Sequence, residues 1–317
     1  MNREPAETVA ISSGVKVTLA RVRRADGSDI VVYALEDPEQ RMARPSIVLL
    51  HGSGADSVFP QSERGTSVPL LFGALCEMRD RWNVYLVEKR GIQFGQCAPP
   101  GGAENAGREY LEGESYEGRV ADVCAVLDEL AAERAGEGLP FVVIGSSEGS
   151  GVAAGVAARH CAPTHIALLP FSACHGLADS LTGLRDELAR GEITAEEFQE
   201  QYDWLVETFR DVLGESRDAL DRYLWGHSYL RWSSYCSGQV MADLLKVDIP
   251  VFLGIPSLDQ CEGVDLAVEE FVRCGKKNLT YRNYINYDHG FFEHVGDRVE
   301  CRHAEVLADI LEWVRRS

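Results

Sequence analysis

Basic residues are scarce in this chain: 31 Lys and Arg stand against 50 Asp and Glu, leaving a net charge of −19 at pH 7. Binding a phosphate backbone needs clustered cations, and these are scattered among more numerous acids, so nucleic acid is excluded as a partner. Long apolar runs are missing as well. The opening MNREPAETVAISSG has no apolar core of signal-peptide length, and no later run approaches a bilayer-spanning length. A cytoplasmic protein with no membrane partner is expected. The nine cysteines are odd in number, dispersed and without a C-x-x-C pair, which argues against a disulfide framework and against a zinc site. They are expected to be mostly buried, as small apolar side chains. A Walker motif and H-E-x-x-H are both absent, so phosphoryl transfer and zinc hydrolysis have no basis. There is no internal repeat, low-complexity tract or linker between independent domains.

What is present is an alternation of short buried strands and amphipathic helices over 317 residues, enough for one large domain with an insertion. Val9–Ser12, Val15–Arg23 and Ile30–Leu35 read as strands, the last two joined by a turn at Asp26-Gly27. Ser46–Leu50, Val84–Val87, Phe141–Ile144, Ile166–Leu169 (ended by Pro170) and Pro250–Ile255 are apolar runs that fit buried parallel strands. Leu279–Ile285 alternates like a further strand. Helices are expected over Pro69–Met78, Tyr116–Ala132, from the elbow to about His160, over Val264–Val272 and over Val299–Val314. Gly91–Glu114 reads as a loop. The fold class is α/β: a mostly parallel sheet with helices on both faces. Residues 1–171 and 246–317 form the core, and 172–245 an inserted helical lid. In that insertion Leu177, Leu181, Leu184 and Leu188 share one helical face. Thr194-Ala195-Glu196-Glu197 is a capping box, and Ser216 caps a third helix ending near Trp225. Its aromatic residues, Trp204, Trp225, Tyr229, Trp232 and Tyr235, are read mainly as packing, with one or two lining a pocket.

The chemistry centres on PFVVIGSSEGSGVAAG at 140–155. A buried strand stops at Gly145-Ser146-Ser147-Glu148-Gly149 and small residues at helical spacing follow, a G-x-S-x-G elbow with Ser147 at its apex. A serine hydroxyl needs a base, and His289, after the last strand and before Gly290, is the candidate. Asp259, just past another strand end, can hold the imidazole tautomer. Asp288 and Glu262 are its rivals, Asp288 being hindered by adjacency to His289. Ser147, Asp259, His289 is the chain order of a hydrolase triad, each residue at the carboxyl end of a strand. The oxyanion hole is expected from the backbone N–H of Glu148 and a second N–H of the His51-Gly52-Ser53-Gly54 loop, at Ser53 or Gly54. A dinucleotide site fails on two counts: Gly149, Gly151 and Gly155 are misspaced, and the strand ending at Leu169-Pro170 offers no acid for a ribose.

With HGSG at 51–54, GSSEG at 145–149, the Asp259 loop and DHG at 288–290, the chain resembles the α/β-hydrolases on both sides of the insertion. The resemblance implies Ser147 as nucleophile, His289 as base and Asp259 as its orienting acid, no cofactor and no metal. It implies an esterase, lipase, thioesterase or peptidase acting on a small-molecule acyl substrate, with carboxylic esters or thioesters preferred over peptides and amides. A non-hydrolytic enzyme or ligand receptor of the same fold is the alternative class. Arg90-Gly91-Ile92-Gln93-Phe94-Gly95-Gln96 departs from the Arg-Gly-x-Gly-x-Ser loop common in that family.

Overall fold

Ser46–Leu50 and Asn83–Val87 are buried at every position, as strands covered on both faces must be. They lie in a nine-stranded sheet, seen in a computed structural model that describes residues 7–11, 14–35, 43–132, 138–171, 176–259 and 262–317. The strands are β1 (Glu7–Ala10), β2 (Lys16–Arg23), β3 (Asp29–Leu35), β4 (Ser46–Leu50), β5 (Asn83–Val87), β6 (Phe141–Ser147), β7 (His165–Phe171), β8 (Val251–Pro256) and β9 (Leu279–Tyr284). Their order is β1-β2-β3-β5-β4-β6-β7-β8-β9. β1, β2 and β3 form an antiparallel meander joined antiparallel to β5, and every pair from β5 to β9 is parallel. From β4 the chain goes to β5 on one side and then to β6 on the other. The carboxyl ends of β4 and β6 therefore flank the point where strand order reverses, the place where open α/β sheets hold ligands. Ser12, the expected end of the first strand, lies outside the described residues.

The helices are α1 (Phe72–Cys76), α2 (Arg108–Gly113), α3 (Tyr116–Ala132), α4 (Glu148–Arg159), α5 (Gly176–Arg190), α6 (Ala195–Leu213), α7 (Tyr229–Tyr235), α8 (Gln239–Leu244), α9 (Glu262–Arg273) and α10 (His303–Arg316). One face of the sheet packs against α3, α4, α8 and α9 through residues such as Val120, Val152, Leu244 and Phe271. The other is covered by α1 and α10, where Val306, Leu307, Ile310, Leu311 and Val314 recur at the helical period. Between β7 and β8 the insertion folds as α5 to α8. The capping box is present, with Thr194 Oγ1 accepting from the Glu197 N–H and the Glu197 carboxylate accepting from the Thr194 N–H. α8 packs on α4 within the main core.

Several expectations need correction. No helix runs from Ser216 to Trp225; Tyr223–Leu224 and His227–Ser228 form a hairpin. Trp225 (φ 49°) and Gly226 (φ 76°) are its two turn residues, a left-handed pair that suits a tight hairpin and breaks a helix. The last helix starts at His303, not Val299, because Phe292–Val295 and Arg298–Cys301 pair across Gly296-Asp297. β7 runs past Pro170 to Phe171: its ladder with β8 ends at Leu168, so the missing proline N–H breaks no bond on that side. The 91–114 loop contains α2, and α1 spans only Phe72–Cys76. Of the seven described cysteines only Cys76 is buried, while Cys97, Cys161, Cys274 and Cys301 are exposed, in loops, after helix ends and on the outer hairpin. Among the described residues no helix is long and apolar enough to cross a membrane.

Candidate active site

The end of β6 is held against the start of α4 so closely that only glycine fits at two positions. A Cβ on Gly145 would collide with the Gly149 carbonyl oxygen, and one on Gly149 with the Leu50 carbonyl oxygen at the end of β4. Between them Ser147 is forced to φ 55°, ψ −125°, a sparsely populated conformation that costs about 1–3 kcal/mol and persists only where packing over-determines it. The β6–β7 ladder shifts register between Ser146 and Ser147, and Ser150 Oγ donates to the Ser147 carbonyl at 2.5 Å. The result is a half-exposed serine at a sharp strand-to-helix turn.

The His51–Gly54 loop leaves β4 directly beside it. A Cβ on Gly52 would sit 3.1 Å from Ser147 Cβ and 3.5 Å from its Oγ. Beneath loop and elbow lie buried charges. Arg119 of α3 and Arg231 of α7 clamp Glu148, the latter through Nε and Nη2 at 2.6 Å. Burial alone would raise the Glu148 pKa, but Arg231, Arg119 and Lys89 outweigh it and hold it at about 2. Lys89 is pushed down to about 8, by burial first and then by Arg119. His51 is pushed well below its ordinary range by burial and by the same two cations, so it stays neutral. None of Lys89, Arg119 and Arg231 was singled out from the sequence. Glu148 in a buried elbow signals that counter-charges are needed, but the sequence does not select which of the 31 Lys and Arg supply them.

Asp259 and His289 meet because the exit loops of β8 and β9 are knitted together. Ser257 N–H donates to the Tyr284 carbonyl and Leu258 N–H to the Tyr287 carbonyl, both at 2.9 Å, and the Asn286 N–H donates to Ser257 Oγ at 2.8 Å. His289 Nδ1 stands 2.7 Å from Asp259 Oδ2. That hydrogen bond raises the imidazole pKa above 6.5, against the opposing pull of burial. Asp288 turns away: it accepts from the Gly290 and Phe292 N–H groups and pairs with His294 Nε2 at 2.9 Å. Glu262 opens α9, and its side chain lies outside the described residues. No hydrogen bond joins His289 to Ser147 in this structure; such contacts often close only in the complex with substrate.

A cavity of about 220 Å³ opens over Ser147. Ser53, Ser147 and Glu148 contribute from the sheet edge, Asp179 and Ser180 from α5, and Trp225, Arg231, Trp232 and Tyr235 from the rest of the insertion. Trp225 and Trp232 meet edge to face at 5.3 Å between ring centroids. Among the described residues no three His, Cys, Asp or Glu side chains converge as a metal-ligating group.

No protein-family model matches the sequence, and no curated protein matches it either. Solved structures do. A lipase in its open form is 18% identical and aligns over 95% of this chain and 98% of its own, with a TM-score of 0.53. An acetyl xylan esterase from Paenibacillus sp. R4 is 16% identical over 98% of this chain and 89% of its own, at 0.52. A puromycin-hydrolyzing peptidase of Mycobacterium tuberculosis is 15% identical over 89% of this chain and 37% of its own, at 0.55. At such identities the likeness is one of fold.

Proposed function

We propose that this chain, which has the α/β-hydrolase fold, is a serine hydrolase of carboxylic esters or thioesters. What carries the reading is Ser147, held in a strained turn between β6 and α4 with the His51–Gly54 loop against it. The Asp259–His289 pair on the exit loops of β8 and β9 supports it.

In this reading Ser147 Oγ attacks the acyl carbonyl carbon while His289 Nε2 takes the hydroxyl proton. The carbonyl π electrons move onto oxygen, and the oxyanion is met by the N–H of Glu148 and by a second N–H of the His51–Gly54 loop, at Ser53 or Gly54. Asp259 keeps the Nδ1–H tautomer and stabilises the imidazolium. Collapse breaks the bond to the leaving alcohol or thiol, which receives the proton from His289. Water, deprotonated by the same imidazole, then attacks the acyl-enzyme and releases the acid and free Ser147. α5 to α7 act as the lid over an acyl pocket of modest size with an aromatic wall. Two of the structural neighbours, by name a lipase and an esterase, favour an oxygen ester as substrate. The peptidase neighbour keeps amide hydrolysis as the second reading, with an amine as leaving group.

A fluorophosphonate probe tests the nucleophile: it is expected to label the wild type and not Ser147→Ala. Absence of label on well-folded wild type would favour the ligand-receptor class. p-Nitrophenyl esters of increasing chain length, run beside aminoacyl anilides, test the leaving group, and anilide turnover without ester turnover would reject the esterase assignment.

A further inference from the structure

A buried ammonium normally faces a carboxylate, because stripping it of water is costly. Lys89 does not. Among the described residues its Nζ donates to the carbonyl oxygens of Gly52, at 3.2 Å, and of Gly54. Arg119 does something similar from the neighbouring helix: Nη2 donates to the His51 carbonyl at 3.0 Å, while Nη1 holds the Glu148 carboxylate. Both side chains are under 10% exposed. Two fixed cations therefore draw the carbonyls of three residues of one loop, His51, Gly52 and Gly54, toward the interior. A trans peptide carries its N–H opposite its C=O, so the amides of Gly52 and Ser53 are turned away from the cations. Ser53 and Ser147 line the same cavity.

We infer that Lys89 and Arg119 are positioning residues for the oxyanion hole, orienting the Ser53 amide through the loop carbonyls and the Glu148 amide through its clamped side chain. The inference rests on the serine-hydrolase reading above and adds to it the origin of the donor geometry. It also chooses between the two loop candidates: the peptide reversed by Lys89 through Gly52 is the one that carries the Ser53 N–H. Neither cation is hydrogen-bonded to Ser147 or lines the cavity over it. Their effect is on the preorganisation of donors toward developing charge, so it falls on the transition state and not on ground-state binding.

The test compares wild type, Lys89→Met, Lys89→Arg and Ser147→Ala on p-nitrophenyl acetate, with phenylboronic acid as a probe that forms a tetrahedral adduct on the serine. Lys89→Met is expected to unfold cooperatively, keep KM within about threefold, and lose about 10²-fold in kcat, at the low end of what one oxyanion donor contributes. Boronate affinity should fall in parallel, and Lys89→Arg should recover at least about tenfold of the lost rate by restoring charge and donors. Should Lys89→Met fail to fold, Lys89→Gln, which keeps an N–H donor without the charge, gives the same comparison. A folded variant whose kcat and boronate affinity stay within about threefold of wild type, or whose loss lies in KM alone, overturns the inference. Ser147→Ala separates the two levels. If it retains wild-type turnover, the serine-hydrolase reading fails. If it is inactive while Lys89→Met is fully active, only the positioning role fails.

Discussion

Replacing Glu148 with Gln removes one negative charge while nearly preserving shape, and its consequence can be worked from two directions. Glu148 is 5% exposed and is clamped by Arg119 and Arg231, with Lys89 beside them. Taking away the carboxylate leaves three buried cations without their shared counter-charge, a change that costs about 3–5 kcal/mol. The second route is proton linkage. The folded-state pKa of about 2 lies below the ordinary 4.5, and at about 1.4 kcal/mol per decade the difference amounts to roughly 3 kcal/mol. The sign follows from a depressed carboxylate: the contribution is complete above the unfolded-state pKa and is lost as pH falls through the folded-state value. Urea unfolding of wild type and Glu148→Gln should therefore differ by about 3 kcal/mol at pH 7, out of a total stability of about 5–15 kcal/mol. By pH 3 more than half of that gap should be gone, since the wild-type carboxylate is by then largely deprived of its advantage over the unfolded chain. A gap below about 1 kcal/mol at pH 7, or one unchanged at pH 3, would refute the claim that this carboxylate is charged and paired in the fold.

The Asp259–His289 contact makes a second prediction. Because Asp259 raises the imidazole pKa above 6.5, the acid limb of kcat/KM should have its midpoint above that value, with activity lost as His289 gains a proton. Asp259→Asn should lower the midpoint and reduce kcat by as much as about 10⁴; a pH–rate profile that keeps its midpoint in the variant rejects the pairing. Gly149→Ala tests the elbow. Its Cβ would run into the backbone oxygens of Leu50 and His51, which cannot rotate aside, so a loss of about 1–3 kcal/mol is expected in chemical denaturation, together with impaired turnover. Wild-type stability in that variant would show that β4 and α4 are not packed as described.

Elements with a strong local period could be read from the sequence almost to the residue: β4, α3 and the capping box at Thr194 are formed where the pattern puts them. Asp259 and His289 were named from their place after strand ends, and they meet in the structure at 2.7 Å. What was misread depended on turn chemistry. Trp225-Gly226 and Gly296-Asp297 are two-residue hairpin turns set in stretches whose apolar spacing also suits a helix, and the shorter signal decides the structure. Lys89, Arg119 and Arg231 were passed over for a different reason. They are ordinary basic residues dispersed over more than a hundred positions, and only the folded chain brings them around one carboxylate.

Arg231 belongs to the insertion, yet the group it clamps is the first residue of the elbow helix. The part of the chain that shapes the pocket is thus wired into the part that holds Ser147. A graft exchanging residues 176–245 for a foreign cap would remove a counter-ion from the interior as well as a wall from the pocket, unless the replacement carried a guanidinium to the same spot. Any redesign of the cavity has to proceed around Arg231, with changes confined to its Trp225 and α5 sides.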